Sequence, residues 1–241
     1  MALYDRDYGK DLQNIDVLGE KYENYANYDE TRISTLIKDT YALLTASMIA
    51  AAAGAFVAMN TGISMAATNP IIYLVVLFGI LFGMQFAVSR GAKTLALVLL
   101  FAFTFITGMT VGSIIALYVS VGAGHVVTQA FVATAVAFGA LTIYAMRTKT
   151  DFSSWAKPLF WTLIGVVVVS LLNAFLFKSG VLALGVSAVC ALLFSAYILF
   201  DTQKIIRGEY TSPIMAAVGM YLNIYNLFMS LLHILGVVNR D

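Results

Sequence analysis

After Thr40 the chain is almost wholly apolar, in seven continuous runs separated by short polar stretches. A helix that crosses a bilayer needs about 20 largely apolar residues. The pattern therefore places spans at 41–59, 71–88, 94–118, 126–145, 158–177, 182–203 and 214–236. Strands of a membrane barrel would alternate apolar and polar residues in segments of about ten, and these runs do not alternate. The pattern predicts an all-α integral membrane protein, with a seven-helix domain over 36–241 and a polar leader over 1–35.

The leader differs in kind. Through Arg32 it holds eight acids, four bases and five tyrosines (Tyr4, Tyr8, Tyr22, Tyr25, Tyr28), with little helical periodicity. Such a segment cannot bury enough apolar surface to offset ordering, so it is expected to be largely disordered. It reads either as a solvated leader or as a handle for a cytoplasmic partner.

Composition agrees with the membrane class: 61% hydrophobic residues, 11% charged residues and a mean hydropathy of +0.87 could not be buried in a soluble fold of 241 residues. A net charge of +1 without a Lys/Arg cluster leaves no footprint for nucleic acid. Cys190 is the sole cysteine, so no intrachain disulfide or thiol metal site is expected, and no cofactor is implied.

The cations are lopsided. Arg6, Lys10, Lys21, Arg32, Lys38, Arg90, Lys93, Arg147, Lys149, Lys157, Lys204 and Arg207 fall at one end of the spans, and only Lys178 and Arg240 at the other. Positive residues near span ends are retained in the cytoplasm, which predicts a cytoplasmic amino terminus and an outside carboxyl terminus. No cleavable signal is visible, so the first span is expected to act as its own anchor. A bacterial inner membrane is the expected location.

Within the spans, Ala46, Ala50 and Gly54, and likewise Gly108 and Gly112, are four apart, a spacing that lets helix backbones approach closely in lipid. In the last span Gly219, Asn223, Asn226, Ser230 and His233 recur at intervals of three and four and share one face, which must meet protein or water. They serve either as packing hydrogen bonds, about 0.6–2 kcal/mol each, or as the lining of an ion path. Asn173, near the end of the fifth span, carries the same two readings. Asp201 is the most informative residue, because a carboxylate inside a span is costly unless paired, protonated or wet. Its plainer reading places it at headgroup level with Lys204 as a partner one turn on.

The segments FSAYILFDTQKI (Phe194 to Ile205) and MYLNIYNLFMSLLHILG (Met220 to Gly236) resemble the paired signature of the Bax-inhibitor-motif transmembrane family, bacterial members included. FAFTFITGMTVG (Phe101 to Gly112), TKTDFSSW (Thr148 to Trp155) and LLNAFLF (Leu171 to Phe177) add to the likeness. The resemblance implies six helices around a central seventh and, for some members, a pH-sensitive calcium leak. There, two aspartates share a proton and engage an arginine, closing the pore from the cytoplasmic side. Carried onto this chain, the first aspartate is Asp201, the arginine is Arg90, and the second aspartate is replaced by Asn223. Two adjacent carboxylates cannot both ionise easily and so form a proton switch, whereas an asparagine favours the ionised form of a single aspartate. Weakened pH sensing follows. Calcium prefers several oxygen ligands including carboxylates, so Asp201 alone offers one possible cation contact and no certain metal site.

Two functions follow: a cation leak, calcium included, gated by Asp201, Asn223 and Arg90, or a non-transporting partner of membrane-protein quality control or stress response. The latter would engage a membrane protease or another cytoplasmic partner through the leader. Catalysis is not expected. Aspartyl intramembrane proteolysis needs two aspartates, and neither His125 nor His233 has a GxSxG-type nucleophile turn as companion.

Overall fold

The computed structural model describes residues 30–63 and 68–239 with their side chains, and of 4–29 the backbone alone. Seven helical segments are long and apolar enough to cross a membrane, the first over Glu30–Thr61 and the fifth over Ser153–Phe177 with its flanking turns, and no strand occurs among the described residues. The helices are α1 (Tyr4–Thr61), α2 (Pro70–Ser89), α3 (Lys93–Ser120), α4 (Gly124–Arg147), α5 (Ala156–Leu172), α6 (Gly180–Ile206) and α7 (Pro213–Val238). A short 3₁₀ turn, Ser153–Trp155, leads into α5, and a π-turn, Asn173–Phe177, closes it. The leader, expected to be largely disordered, has a helical backbone from Tyr4 that runs on into the first span. Where side chains are described, from Glu30, the chain is already helical, ahead of the boundary at 36.

Local chemistry sets the ends. Asn69 caps α2 by accepting from the Ile72 N–H, with Pro70 in the first turn, and Ser212 does the same for α7 through the Ile214 N–H, followed by Pro213. At the other end of α6, Gly208 takes φ +69°, its N–H bonds the Ile205 carbonyl, and the Glu209 N–H bonds the Lys204 carbonyl. That left-handed cap is open to glycine at little steric cost, and Gly91 ends α2 the same way.

The seventh helix is central. It contributes to all three apolar clusters: with α1, α2, α3 and α6 around Leu100, Phe103, Ile205 and Met220; with α4 around Val126 and Leu232; and with α6 around Ile198 and Leu227. Its main packing partners are α1, α3, α4 and α6, while α2 packs chiefly on α3 and α5 on α6. Helices α1 and α3 touch along their backbones. A Cβ on Gly54 would overlap the Phe105 carbonyl, and one on Gly108 or Gly112 would overlap the carbonyl of Ala51 or Ala55. Small residues are what make this approach geometrically open. Outward-facing Phe78, Phe82, Trp161 and Phe175 stay exposed, as a lipid-facing surface requires.

The chain's direction alternates through seven crossings, so the start of the membrane part of α1 and the α2–α3, α4–α5 and α6–α7 loops lie at one end of the bundle. This charged end holds the site.

Candidate functional site

Asp201 sits on α6 five residues before its end and is 7% exposed. Each carboxylate oxygen has its own neutral donor. Asn223 Nδ2 of α7 donates to Oδ2 at 2.7 Å, and the Tyr210 hydroxyl of the α6–α7 loop donates to Oδ1 at 2.7 Å. Only the amide nitrogen of Asn223 can serve a carboxylate, so this contact also fixes the amide's orientation. Gly219, one turn before Asn223, leaves room beside the pair: a Cβ there would lie 3.5 Å from the Tyr210 oxygen and 3.7 Å from Asp201 Oδ2.

Lys204 does not pair with the carboxylate. Its ammonium lies over the Tyr210 ring at 4.6 Å and over the Phe200 ring at 5.5 Å, so it holds the donor rather than the acceptor. Burial first, and then the Asp201 charge beside it, push the Tyr210 phenol above its ordinary range, so it remains a hydrogen-bond donor.

The next two residues are buried as well. Thr202 is fully buried against the Tyr41 phenol of α1, without a bond of good geometry. Gln203, 5% exposed, ties down the α4–α5 loop: its Oε1 accepts from the Phe152 N–H at 2.9 Å and its Nε2 donates to the Thr150 carbonyl at 2.8 Å. Arg207 adds an ion pair to Asp151 at 2.7 Å and donates to Gln203 Oε1 at 3.3 Å. Backbone and side-chain bonds from Ser153 and the Arg207 guanidinium hold the exposed Asp151 carboxyl below the usual carboxylate range. Asp201, Thr202 and Gln203 thus reach α7 with its preceding loop, α1, and the α4–α5 loop in turn.

The expected partner Arg90 is not at the site. It is exposed in the α2–α3 turn, where its guanidinium stacks on Phe86 of its own helix at 5.0 Å. The physical reason is that both Asp201 oxygens are already bonded and Arg90 lies beyond the last turn of α2, outside the bundle. The polar stripe also divides. Asn226 donates to the Leu222 carbonyl and Ser230 to the Asn226 carbonyl, each at 2.7 Å, so both close on their own helix. Asn173 pairs both ways with the Ser179 backbone, at 2.9 and 3.1 Å, and fastens the α5–α6 turn.

His233 meets a serine that is not part of a GxSxG-type turn: Ser187 Oγ of α6 lies 2.7 Å from its Nδ1. Ser187 stands in the middle of a helix, however, where backbone N–H groups are engaged by the helix and cannot form an oxyanion hole. The pair is a bridge between α6 and α7.

Sequence reasoning missed Tyr210, Gln203 and a hydroxyl network in the bundle. Tyr221 lies 2.7 Å from the Thr107 hydroxyl and donates to the Thr104 carbonyl at 3.3 Å, and Thr110 donates to the Tyr73 phenol at 2.8 Å. Tyrosine and threonine inside apolar runs blend into the hydropathy signal, so only Thr104, Thr107 and Thr110, spaced by three in α3, could have hinted at it.

The fold and site define a seven-helix membrane protein with one carboxylate held by neutral donors near an end of its sixth helix. The family model described as inhibitor of apoptosis-promoting Bax1 matches residues 33–240, and the chain belongs to that family. It is 42% identical to an uncharacterized protein of Campylobacter jejuni, covering 99% of each chain. It is 32% identical to the modulator of FtsH protease YccA of Escherichia coli, over 90% of this chain and 97% of that one. It is 36% identical to the Golgi anti-apoptotic protein of vaccinia virus, over 71% of each.

Proposed function

We propose that this protein is a non-transporting modulator of membrane-protein quality control that acts on a membrane-anchored protease from within the bilayer. The observation that carries this reading is near full-length similarity to a relative named as a modulator of FtsH protease. The geometry supports it, since the inward polar groups of α7 are closed on Asp201, on their own helix or on Ser187 rather than arrayed along a path. The protein would lie in a bacterial inner membrane, amino terminus in the cytoplasm and carboxyl terminus outside, with residues 2–32 offering the protease a handle. Affinity-tagged chain expressed with a membrane-anchored protease should co-purify with it and slow degradation of a membrane substrate. Deleting residues 2–32 should remove the interaction and leave the bundle folded. Absence of both co-purification and any change in degradation would overturn the proposal.

A second reading is favoured by one observation, the buried carboxylate at the charged end: a cation leak, calcium included, closed at Asp201. It predicts that cation flux into liposomes carrying purified protein changes on Asp201→Asn. Equal flux in both, or none in either, would reject it.

A further inference from the structure

Asp201 lies within two turns of the charged end of the bundle, yet it is almost completely hidden. What covers it is the short α6–α7 loop. Tyr210 reaches back from this loop to bond Oδ1, its ring is roofed by the Lys204 ammonium, and its hydroxyl fills the space beside Gly219. The start of the same loop is anchored from outside. Arg207 pairs with Asp151, and one turn earlier Gln203 grips the backbone of residues 150 and 152. Ile33 of α1 covers the loop's left-handed residue, Gly208.

We infer that Tyr210 is a lid over Asp201 and that the α4–α5 loop, through Asp151 and Gln203, is the lock that keeps the lid closed. Tyr210 and Gln203 are positioning residues. Tyr210 blocks and orients the carboxylate, and Gln203 and Arg207 hold the helix end from which the lid springs. A force or partner acting on residues 148–155 is thereby felt at Asp201 without touching it. The device concerns access to the carboxylate, so it holds whether the bundle conducts cations or serves a protease.

Gly219→Cys is a reporter placed beneath the lid, because a Cβ at 219 meets its neighbours at ordinary van der Waals distance. In a Cys190→Ser chain in nanodiscs, its reaction with a water-soluble maleimide should be slow. Tyr210→Ala should speed it about tenfold or more, Gln203→Leu by a similar factor, and Asp151→Asn by about two- to fivefold, as for an exposed ion pair. Slow labelling that Tyr210→Ala leaves unchanged would overturn the lid. Faster labelling in Tyr210→Ala with no change in Gln203→Leu and Asp151→Asn would overturn the lock. Hydrogen exchange gives a second measurement independent of the reporter. Residues 207–212 should lose protection in Gln203→Leu while 226–236 keep theirs. Unchanged protection at 207–212 would overturn the coupling, and loss across both segments would reduce the lock to general stability and likewise overturn it.

Discussion

Asp201 can stay buried because each of its oxygens meets one donor that carries no charge of its own. That choice of donors makes its environment distinct from a carboxylate pair. Asn223→Asp should set two carboxylates against each other where only one can ionise readily, so the variant's melting temperature should fall more steeply than the parent's on going from mild acid to neutral pH. Thermal unfolding in detergent across that range checks it, and parallel curves would contradict the pairing. Tyr210→Phe removes a donor from a buried carboxylate and should cost about 1–3 kcal/mol, read in a denaturant titration, with Asn223→Ala costing at least as much. The Asp201 and Asn223 contact was legible because both residues interrupt apolar runs and lie in the two most distinctive segments of the chain. Arg90 was misplaced because resemblance carries a residue's position along the chain and not the direction in which a turn throws its side chain. Tyr210 escaped because a six-residue loop has no periodicity to say which of its side chains folds back.

At the level of elements, hydrophobic run length gave all seven helices, with ends within a few residues of those observed after the first. The caps explain why: Asn69, Ser212, Gly91 and Gly208 are residues whose backbone and side-chain chemistry stops or starts a helix wherever they stand. Small-residue spacing correctly marked a close approach but not its partner, since the pairing of α1 with α3 depends on three-dimensional order. Gly108→Ala should force these backbones apart and destabilise the bundle by about 1–3 kcal/mol, whereas Gly79→Ala, which meets open space, should stay within about 0.5 kcal/mol. Equal melting of the two variants would mean that α1 and α3 do not touch as described. The α4–α5 loop was legible only as a string of letters in a resemblance. Its physical role lies in long-range bonds to Gln203 that no local pattern encodes.

For the molecule as a whole, the charged end is fastened from several sides, and one of those fastenings is exposed to solvent pH. The Asp151 carboxyl is held below its ordinary value in the folded chain, so its contribution is complete above about pH 4 and is lost only as pH falls through the lower folded-state value. Hydrogen exchange of residues 148–155 should therefore be flat between about pH 5 and 8, after correction for intrinsic rates, and rise only in stronger acid. A rise near neutrality would point to a different group. Raising salt should weaken the same contact, because the pair with Arg207 is partly solvent-exposed.

Three consecutive side chains, Asp201, Thr202 and Gln203, answer to separate parts of the chain, and this gives the sequence an arithmetic of its own. Replacing one disturbs a boundary that the other two also define, so the penalties of double replacements inside the tripeptide should fail to add, unlike those of equally buried pairs placed far apart.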